Sequence, residues 1–525
     1  MHNNNYDRGG KQLAKAVALA YQDGQTDYTM EPLTLVLEDG STPGKVEDGD
    51  AVVFCCRRGE REIELTDAFT AEDFPHFPRK KINDLDFVIL TMYHEKYKDL
   101  PIAFAPASVE ETLAACVSEA GLSQLHCAES EKFAHITYFF NGGNNQPFPK
   151  EDDVRIPSPK GIPFDQKPEL SLPEVAQEVK KGLQTGYDFI AVNFANGDVI
   201  GHTANSEAKI ACAEHVDKHL GEVLEEAKKQ NYVVAITADH GNLEVLYSSG
   251  GKPHVAHTDS LVPFLLIDPT LPEPLTAEDG ILGDIAPTML QIMNIAQPNS
   301  MSGSSLMPEH NFGGRRKLLL IVLDGWGLGA QDDTNPIFLA NTPVWDKLTS
   351  TPFSKLRASG DAVGLQPSKA GNSEAGHTNI GAGRIIMQDD VRLEKAMSDG
   401  SFFHNPVFRN TLRNVKARGR QMHLLALLTK KSSHGSVDYP LALLQMAKEE
   451  GLDEVYVHII FDGRSTEPGS APALLEEFEA EMERTGIGRI VDGVGRGIAL
   501  DRDANYAKIK KAYESMVLGI GRSYC

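Results

Sequence analysis

Long hydrophobic runs are missing from this 525-residue chain. Apolar stretches such as LLLIVL are far shorter than the roughly 20 residues that span a bilayer. The start, MHNNNYDRGGK, lacks the apolar core of a signal peptide. A cytoplasmic protein with no membrane partner is therefore expected. Positive charge is also scarce: 51 Lys and Arg stand against 74 Asp and Glu, a formal net charge of -23. That balance disfavours a nucleic-acid partner, because phosphate backbones are held by clustered cations. It leaves room for an arginine-lined pocket for a small anion. The cysteines, Cys55, Cys56, Cys116, Cys127, Cys212 and Cys525, are scattered and show no CxxC pairing with zinc spacing. They read as reduced thiols. No internal repeat or long low-complexity tract is present.

The length predicts two domains. Short apolar runs alternate with longer amphipathic stretches, an α/β pattern. Strands are expected at DFVILTM (86–92), FIAVNF (189–194), VVAITAD (233–239), LLLIVLD (318–324), HLLALL (423–428) and VYVHIIFD (455–462). Helices are expected at SLPEVAQEVKKGLQ and SEAKIACAEHVDKHLGEVLEEAKKQ, the latter with apolar residues recurring at three and four. Residues 308–316, PEHNFGGRR, are polar and unpatterned and read as a joint.

Several strands end in or lead into acids: Asp324 after LLLIVL, Asp239 after VVAITA and Asp198 soon after FIAVNF. Ligands of open α/β sheets bind at the carboxyl ends of strands. Histidines accompany these acids. Asp198 and His202 in NGDVIGHT are four residues apart and share a helical face. Asp239 and His240 are adjacent in TADHGN, and His257 lies in VAHTDS. Mixed carboxylate and imidazole donors suit Mn or Zn better than Ca. Ser373 sits in the Gly-rich AGNSEAGHTNIGAGR, where a hydroxyl is sterically open and backbone amides can receive phosphate oxygens. Beside a metal such a hydroxyl becomes a nucleophile. Dispersed cations near glycines or acids are Arg58 and Arg61 in CRRGER, Lys132 in ESEKFAH, Arg464 in FDGRS, Arg496 in VGRGI and Arg502 in LDRD. Arginine makes bidentate contacts to phosphate and carboxylate.

Together LLLIVLDGWGLG, GNSEAGHTNIGAGR, NGDVIGHT, TADHGN and AHT resemble the cofactor-independent phosphoglycerate mutases of the alkaline phosphatase superfamily. The resemblance implies an α/β phosphatase-like domain, with a central mainly parallel sheet flanked by helices, and a smaller α/β transferase domain. It implies two divalent metal ions, Mn foremost with Mg, Co or Zn open, no bisphosphoglycerate cofactor, and a monomer acting on phosphoglycerate. One ion would sit on Asp198, His202 and His257, the other on Asp324, Ser373, Asp239 and His240. Ser373 would take the phosphate from 3-phosphoglycerate and return it to the 2-hydroxyl. Arg58, Arg61, Lys132, Arg464, Arg496, Arg502 and His434 match substrate-contacting positions, with His434 counted among the catalytic groups.

The segment order departs from that family, whose LDGWG strand opens the chain and whose AHT lies near the end. Here His257 precedes Asp324, and the last segment reads on naturally into the first. The order is that of a circular permutant with the old ends fused near 308–316. Residues 109–385 would form the phosphatase-like domain, with 1–108 and 386–525 as the two halves of the transferase domain. Hinges near 108 and 385 would close it and exclude water. Ser465 stands where the family has an Asp that contacts glycerate, and a hydroxyl is a poor base. The segment TKKSSHGS keeps His434 but adds Lys430 and Lys431, CRR adds Arg57, and GRGIALDRD lacks two family tyrosines. Alternatives to the mutase are a metal-dependent phosphatase on small phosphate esters and a catalytically silent binding protein.

Overall fold

The computed structural model describes residues 8–57, 61–106, 109–272, 274–430, 432 and 434–525. The chain divides into two compact units, Met1–Pro106 with Arg392–Cys525, and Ala107–Val391. The later boundary falls beyond residue 385 because Ile386 and Gln388 donate backbone hydrogen bonds to Asn379 Oδ1 and Gly364 O of the second unit. Residues 308–316 lie inside that unit, as an irregular segment before strand Leu318–Leu323. Among the described residues no helix is long and apolar enough to cross a membrane.

The second unit holds an eight-stranded sheet. Its order is Gly280–Ile281, Ser354–Arg357, Val262–Ile267, Val233–Thr237, Leu318–Leu323, Phe189–Phe194, Gln124–Glu129 and Glu151–Ile156. Only Val262–Ile267 runs antiparallel to its neighbours. Every residue of Leu318–Leu323 is buried. This explains its unbroken Leu/Ile/Val composition, since a central parallel strand is covered on both faces. Burying each such side chain stabilises the fold by about 2 kcal/mol. Helix Ser206–Lys229 follows from its sequence pattern. Asn205 caps it by accepting from Ala208 N, Lys228 and Lys229 complement its carboxyl end, and Cys212, Val216, Leu220 and Val223 face the core. Strand Gln124–Glu129 (QLHCAE) escapes a hydrophobicity reading, yet it is wholly buried. Its polar groups are satisfied internally: Gln124 donates to Ala114 O, and His126 Nδ1 to Ile136 O.

Register then places the chemistry. Leu323 pairs with Phe194, and Val322 with Thr237. Asp324, the helix Asn196–Gly201 and the Ala238–His240 turn therefore leave the sheet along one edge. Gln124 pairs with Phe189 in the same sense, so Lys132 follows its strand off that edge too.

The first unit has its own eight-stranded sheet, ordered Arg522–Tyr524, Leu33–Leu35, Arg489–Gly495, Val455–Phe461, Met422–Leu428, Ala51–Phe54, Asp86–Thr91 and Ile102–Phe104. All pairings are parallel except Leu33–Leu35 with Arg489–Gly495. Separate apolar clusters cover its faces, one around Leu424, Val457 and Leu475, the other around Leu425, Ile460 and Met516. Arg57, His434, Asp462 and Arg496 all follow carboxyl ends of these parallel strands.

Candidate metal centre

In the second unit, Asp198, His202 and His257 converge. Asp198 Oδ1 is 3.2 Å from His202 Nε2 and 3.0 Å from His257 Nε2, and the two imidazole nitrogens are 3.0 Å apart. Backbone carbonyls fix the tautomers. His202 Nδ1–H donates to Val255 O and His257 Nδ1–H to Gly371 O, both at 2.9 Å. Three lone pairs thus face one point, an arrangement that needs positive charge at its centre. Asp198 favours the charged form of both rings. The Asp198 hydrogen bond raises the pKa of His202. At His257 burial works the other way, but Asp198 outweighs it and the pKa again rises. A divalent cation fits the same donors by displacing their protons.

Alongside lies a deeper set. Asp239, His240 and Asp324 are fully buried and Ser373 nearly so. Ser373 Oγ is 2.9 Å from His240 Nε2 and 3.3 Å from Asp324 Oδ1. Asp239 Oδ1 accepts from His240 N and Gly325 N, while Asp239 Oδ2 is buried without a hydrogen-bond partner. Such an orphan acceptor is costly unless a cation completes it. Burial and the neighbouring Asp239 raise the Asp324 pKa. At Asp239 burial acts in the same direction, but His240 and His377 override it and the pKa falls. His240 Nε2 lies 3.4 Å from Asp239 Oδ2, and it also groups with Asp198 and His257 as a donor set. Its place is therefore between the two sets.

Lys132 bridges them. Its Nζ donates to Asp198 Oδ2 at 2.7 Å, Asp324 Oδ1 at 2.8 Å and Ser373 Oγ at 2.6 Å. Burial works against the ammonium, yet Asp324, Asp198 and Asp239 outweigh it and raise its pKa. Two glycines allow the approach. A Cβ on Gly325, whose φ is +73°, would lie 2.6 Å from Asp198 N, and one on Gly376 would lie 2.6 Å from Asp239 O. Ser373 opens helix Ser373–Ala382, capped by Asn372, which puts it at the positive end of the helix dipole. The site opens into a cavity of ≈ 550 Å³ lined in part by Glu131, Lys132, His135, His202, His257 and Ser373. A buried serine with a cation on one side and two acceptors on the other is arranged for nucleophilic attack on an anionic ester.

Hydrophobic patterning missed three residues here. Asn242 Nδ2 donates to Asp198 Oδ1 at 2.9 Å. Asn193 and His377 contact the deeper set. Signals existed: Asn193 is a polar residue inside a buried strand, and His377 lies one helical turn after Ser373. A further group, His126 with Glu151 and Asp153, has metal-like spacing. Burial lowers the His126 pKa to about 4, Nδ1–H donates to Ile136 O, and Nε2 lies 3.2 Å from Gln124 Oε1.

The remaining sequence-derived positions belong to the first unit. Arg496 is buried and ion-paired with Asp462. Arg61 is buried and donates to Leu500 O. His434 is nearly buried, with its N–H on Ser432 Oγ. Arg464, Ser465 and Arg502 are exposed, Ser465 N bonding Asp462 Oδ1. Arg58 and Lys431 lie outside the described residues.

A family model described as "Metalloenzyme superfamily" matches residues 11–297, and one described as "BPG-independent PGAM N-terminus" matches residues 393–524. Among curated proteins, the 2,3-bisphosphoglycerate-independent phosphoglycerate mutase of Salinibacter ruber is 43% identical over 298 residues, covering 56% of this chain and 56% of that one. The namesake from Syntrophotalea carbinolica is 44% identical over 297 residues, 56% of this chain and 57% of its own. A solved structure of Leishmania mexicana phosphoglycerate mutase at low cobalt concentration is 28% identical, covers 51% of this chain and 52% of that chain, and has a TM-score of 0.38. The matched region spans little more than half the length of these curated relatives. With more than half of its own residues matched and its carboxylate and imidazole donors gathered at one sheet edge, the chain belongs to the metalloenzyme superfamily.

Proposed function

We propose that this chain interconverts 3-phosphoglycerate and 2-phosphoglycerate, in the cytoplasm and within glycolysis, through a phosphoserine at Ser373. The observation that carries the reading is the triple contact of Lys132 with Asp198, Asp324 and Ser373. It ties a nucleophile to both donor sets. The names borne by the curated relatives support the substrate.

Asp198, His202 and His257 would hold one divalent ion, and Asp239, His240, Asp324 and Ser373 the other, with Mn the best match to mixed donors. When bound, these ions supply charge for the phosphate oxygens and lower the pKa of the serine hydroxyl. Ser373 Oγ attacks phosphorus as the bond to the glycerate 3-oxygen breaks. Lys132 stays protonated, holds Oγ before attack and neutralises the phosphoryl group afterwards. The glycerate 2-hydroxyl then attacks the same phosphorus as the bond to Ser373 Oγ breaks, so no water is consumed and the serine is regenerated. We assign the carboxylate and hydroxyls of glycerate to Arg58, Arg61, Arg464, Ser465, Arg496 and Arg502, and proton transfer between the hydroxyls to His434.

The phosphatase-like domain of this reading corresponds to the second unit, and the transferase domain to the first. A circularly permuted order is supported by the match of a model described as a family's N-terminus to residues 393–524, after the metalloenzyme match. A second reading, hydrolysis of small phosphate esters at Ser373, is favoured by one residue, Ser465 in place of a carboxylate. One assay decides. With Mn²⁺ and 3-phosphoglycerate, and no bisphosphoglycerate, 2-phosphoglycerate should accumulate with little free phosphate. Free phosphate alone would replace the mutase with the phosphatase, and neither product would sink both.

A further inference from the structure

His377 has the position of a metal ligand without the free lone pair of one. It is fully buried, and Nδ1 lies 3.2 Å from Asp239 Oδ2, so with Asp239 and Asp324 it forms a compact donor group. Yet both nitrogens are already engaged. Asn193 Nδ2 donates to His377 Nε2 at 2.9 Å and to Asp324 Oδ2 at 2.6 Å. An amide NH₂ has two protons, and both are spent here. Nε2 must therefore carry a lone pair, which puts the ring proton on Nδ1. That proton goes to Ser373 O, 2.9 Å away, and Asp239 Oδ2 lies beside the same ring edge.

We propose that Asn193 and His377 form a positioning pair that links Asp324, Asp239 and the backbone of Ser373, and that His377 does not itself ligate metal. The inference rests on the two-ion reading of this site. The chain of contacts runs Asp324, Asn193, His377, then Asp239 and Ser373. It orients Asp324 through an amide donor, holds the Ser373 main chain through the imidazole proton, and sets the same ring edge against Asp239. Asn193 Oδ1 is buried with no hydrogen-bond partner. The amide is thus kept for its two donors at the expense of its acceptor. Groups that orient ligands set metal affinity without touching the metal, and their loss weakens binding about 10- to 100-fold.

The test is Mn²⁺ binding to the full chain by titration calorimetry, which reads the site whatever its substrate. His377→Leu and Asn193→Leu should each weaken the tighter of two Mn²⁺ sites about 10- to 100-fold while keeping both sites. His377→Asn retains a donor near Nδ1 and should recover much of that loss. The double variant should bind no worse than the poorer single one, since both break the same chain. At saturating Mn²⁺, turnover should return while KM for 3-phosphoglycerate stays within about twofold of the parent. Far-ultraviolet circular dichroism identifies any variant that has not folded, and His377→Asn then carries the test. Loss of one Mn²⁺ from the stoichiometry of His377→Asn would make His377 a ligand and overturn the proposal. Parental affinity in all variants would overturn it too. Failure of the parent chain to bind Mn²⁺ would instead overturn the two-ion reading beneath it.

Discussion

Lys132 Nζ stands 2.6 Å from Ser373 Oγ while also touching Asp198 and Asp324. A buried ammonium thus holds the Ser373 hydroxyl and one carboxylate from each donor set. Lys132→Met should leave those carboxylates without a counter-charge. Removing one partner of a buried ion pair costs roughly 3–5 kcal/mol. The metal-free variant should melt at lower temperature than the parent, and added Mn²⁺ should restore much of the difference. Equal melting of the metal-free forms would show that Lys132 does not balance these acids.

Ser373→Ala should abolish phosphoryl transfer, lowering turnover by at least about 10³-fold, because the covalent route has no substitute nucleophile. The acid-quenched parent should carry phosphate on Ser373, read by mass spectrometry after brief exposure to 3-phosphoglycerate. Residual isomerisation by the alanine variant at a tenth of the parental rate would exclude the phosphoserine.

His202→Ala removes one of three donors facing a common point. Mn²⁺ should then bind with one strong site per chain, because Asp239, His240 and Asp324 remain. Two unchanged sites by titration calorimetry would remove His202 from the centre.

Acid should destabilise the first unit. Burial pushes His423 down to about 4, against a usual value near 6.5. Asp50 Oδ2 and His458 face it, at 3.3 and 3.0 Å. Between those pH values the unfolded chain holds a proton that the folded one refuses. Stability is therefore full above pH 6.5 and declines as pH falls toward 4, by roughly 3 kcal/mol at most. In the second unit His126 is also lowered to about 4, but Asp153 is raised to about 6. Folded Asp153 keeps a proton that unfolded Asp153 releases, which opposes the His126 effect. Thermal melting between pH 7 and 4.5 should fall less steeply in His423→Gln than in the parent. Parallel curves would remove His423 as the source.

Ser465 is exposed, so Ser465→Asp should change stability by less than about 0.5 kcal/mol. A carboxylate there is a better base than a hydroxyl. The ratio of 2-phosphoglycerate to free phosphate should rise relative to the parent. An unchanged ratio would show that proton transfer does not pass through this position.

Much of the site was legible because its chemistry is local. Asp324, Asp239 and Asp198 follow apolar strands that any parallel sheet would bury, and His202 lies one helical turn from Asp198. Strands such as LLLIVL and helices such as 206–229 are set by patterns repeating every residue or every turn, and the chain reads them out locally. QLHCAE was illegible for the opposite reason, since its burial is made possible by partners at Ala114 and Ile136.

Residue type, order and spacing therefore determined the α/β class, the acid and imidazole donors and the serine in its glycine-rich turn. Only the tertiary structure decided which nitrogen of each histidine carries the proton, because Val255 O, Gly371 O and Asn193 Nδ2 come from elsewhere in the chain. It also decided that Lys132 touches Ser373 across 241 positions. Hydrogen bonds act over about 3 Å of space whatever the separation in sequence, and a linear reading has no measure of that distance.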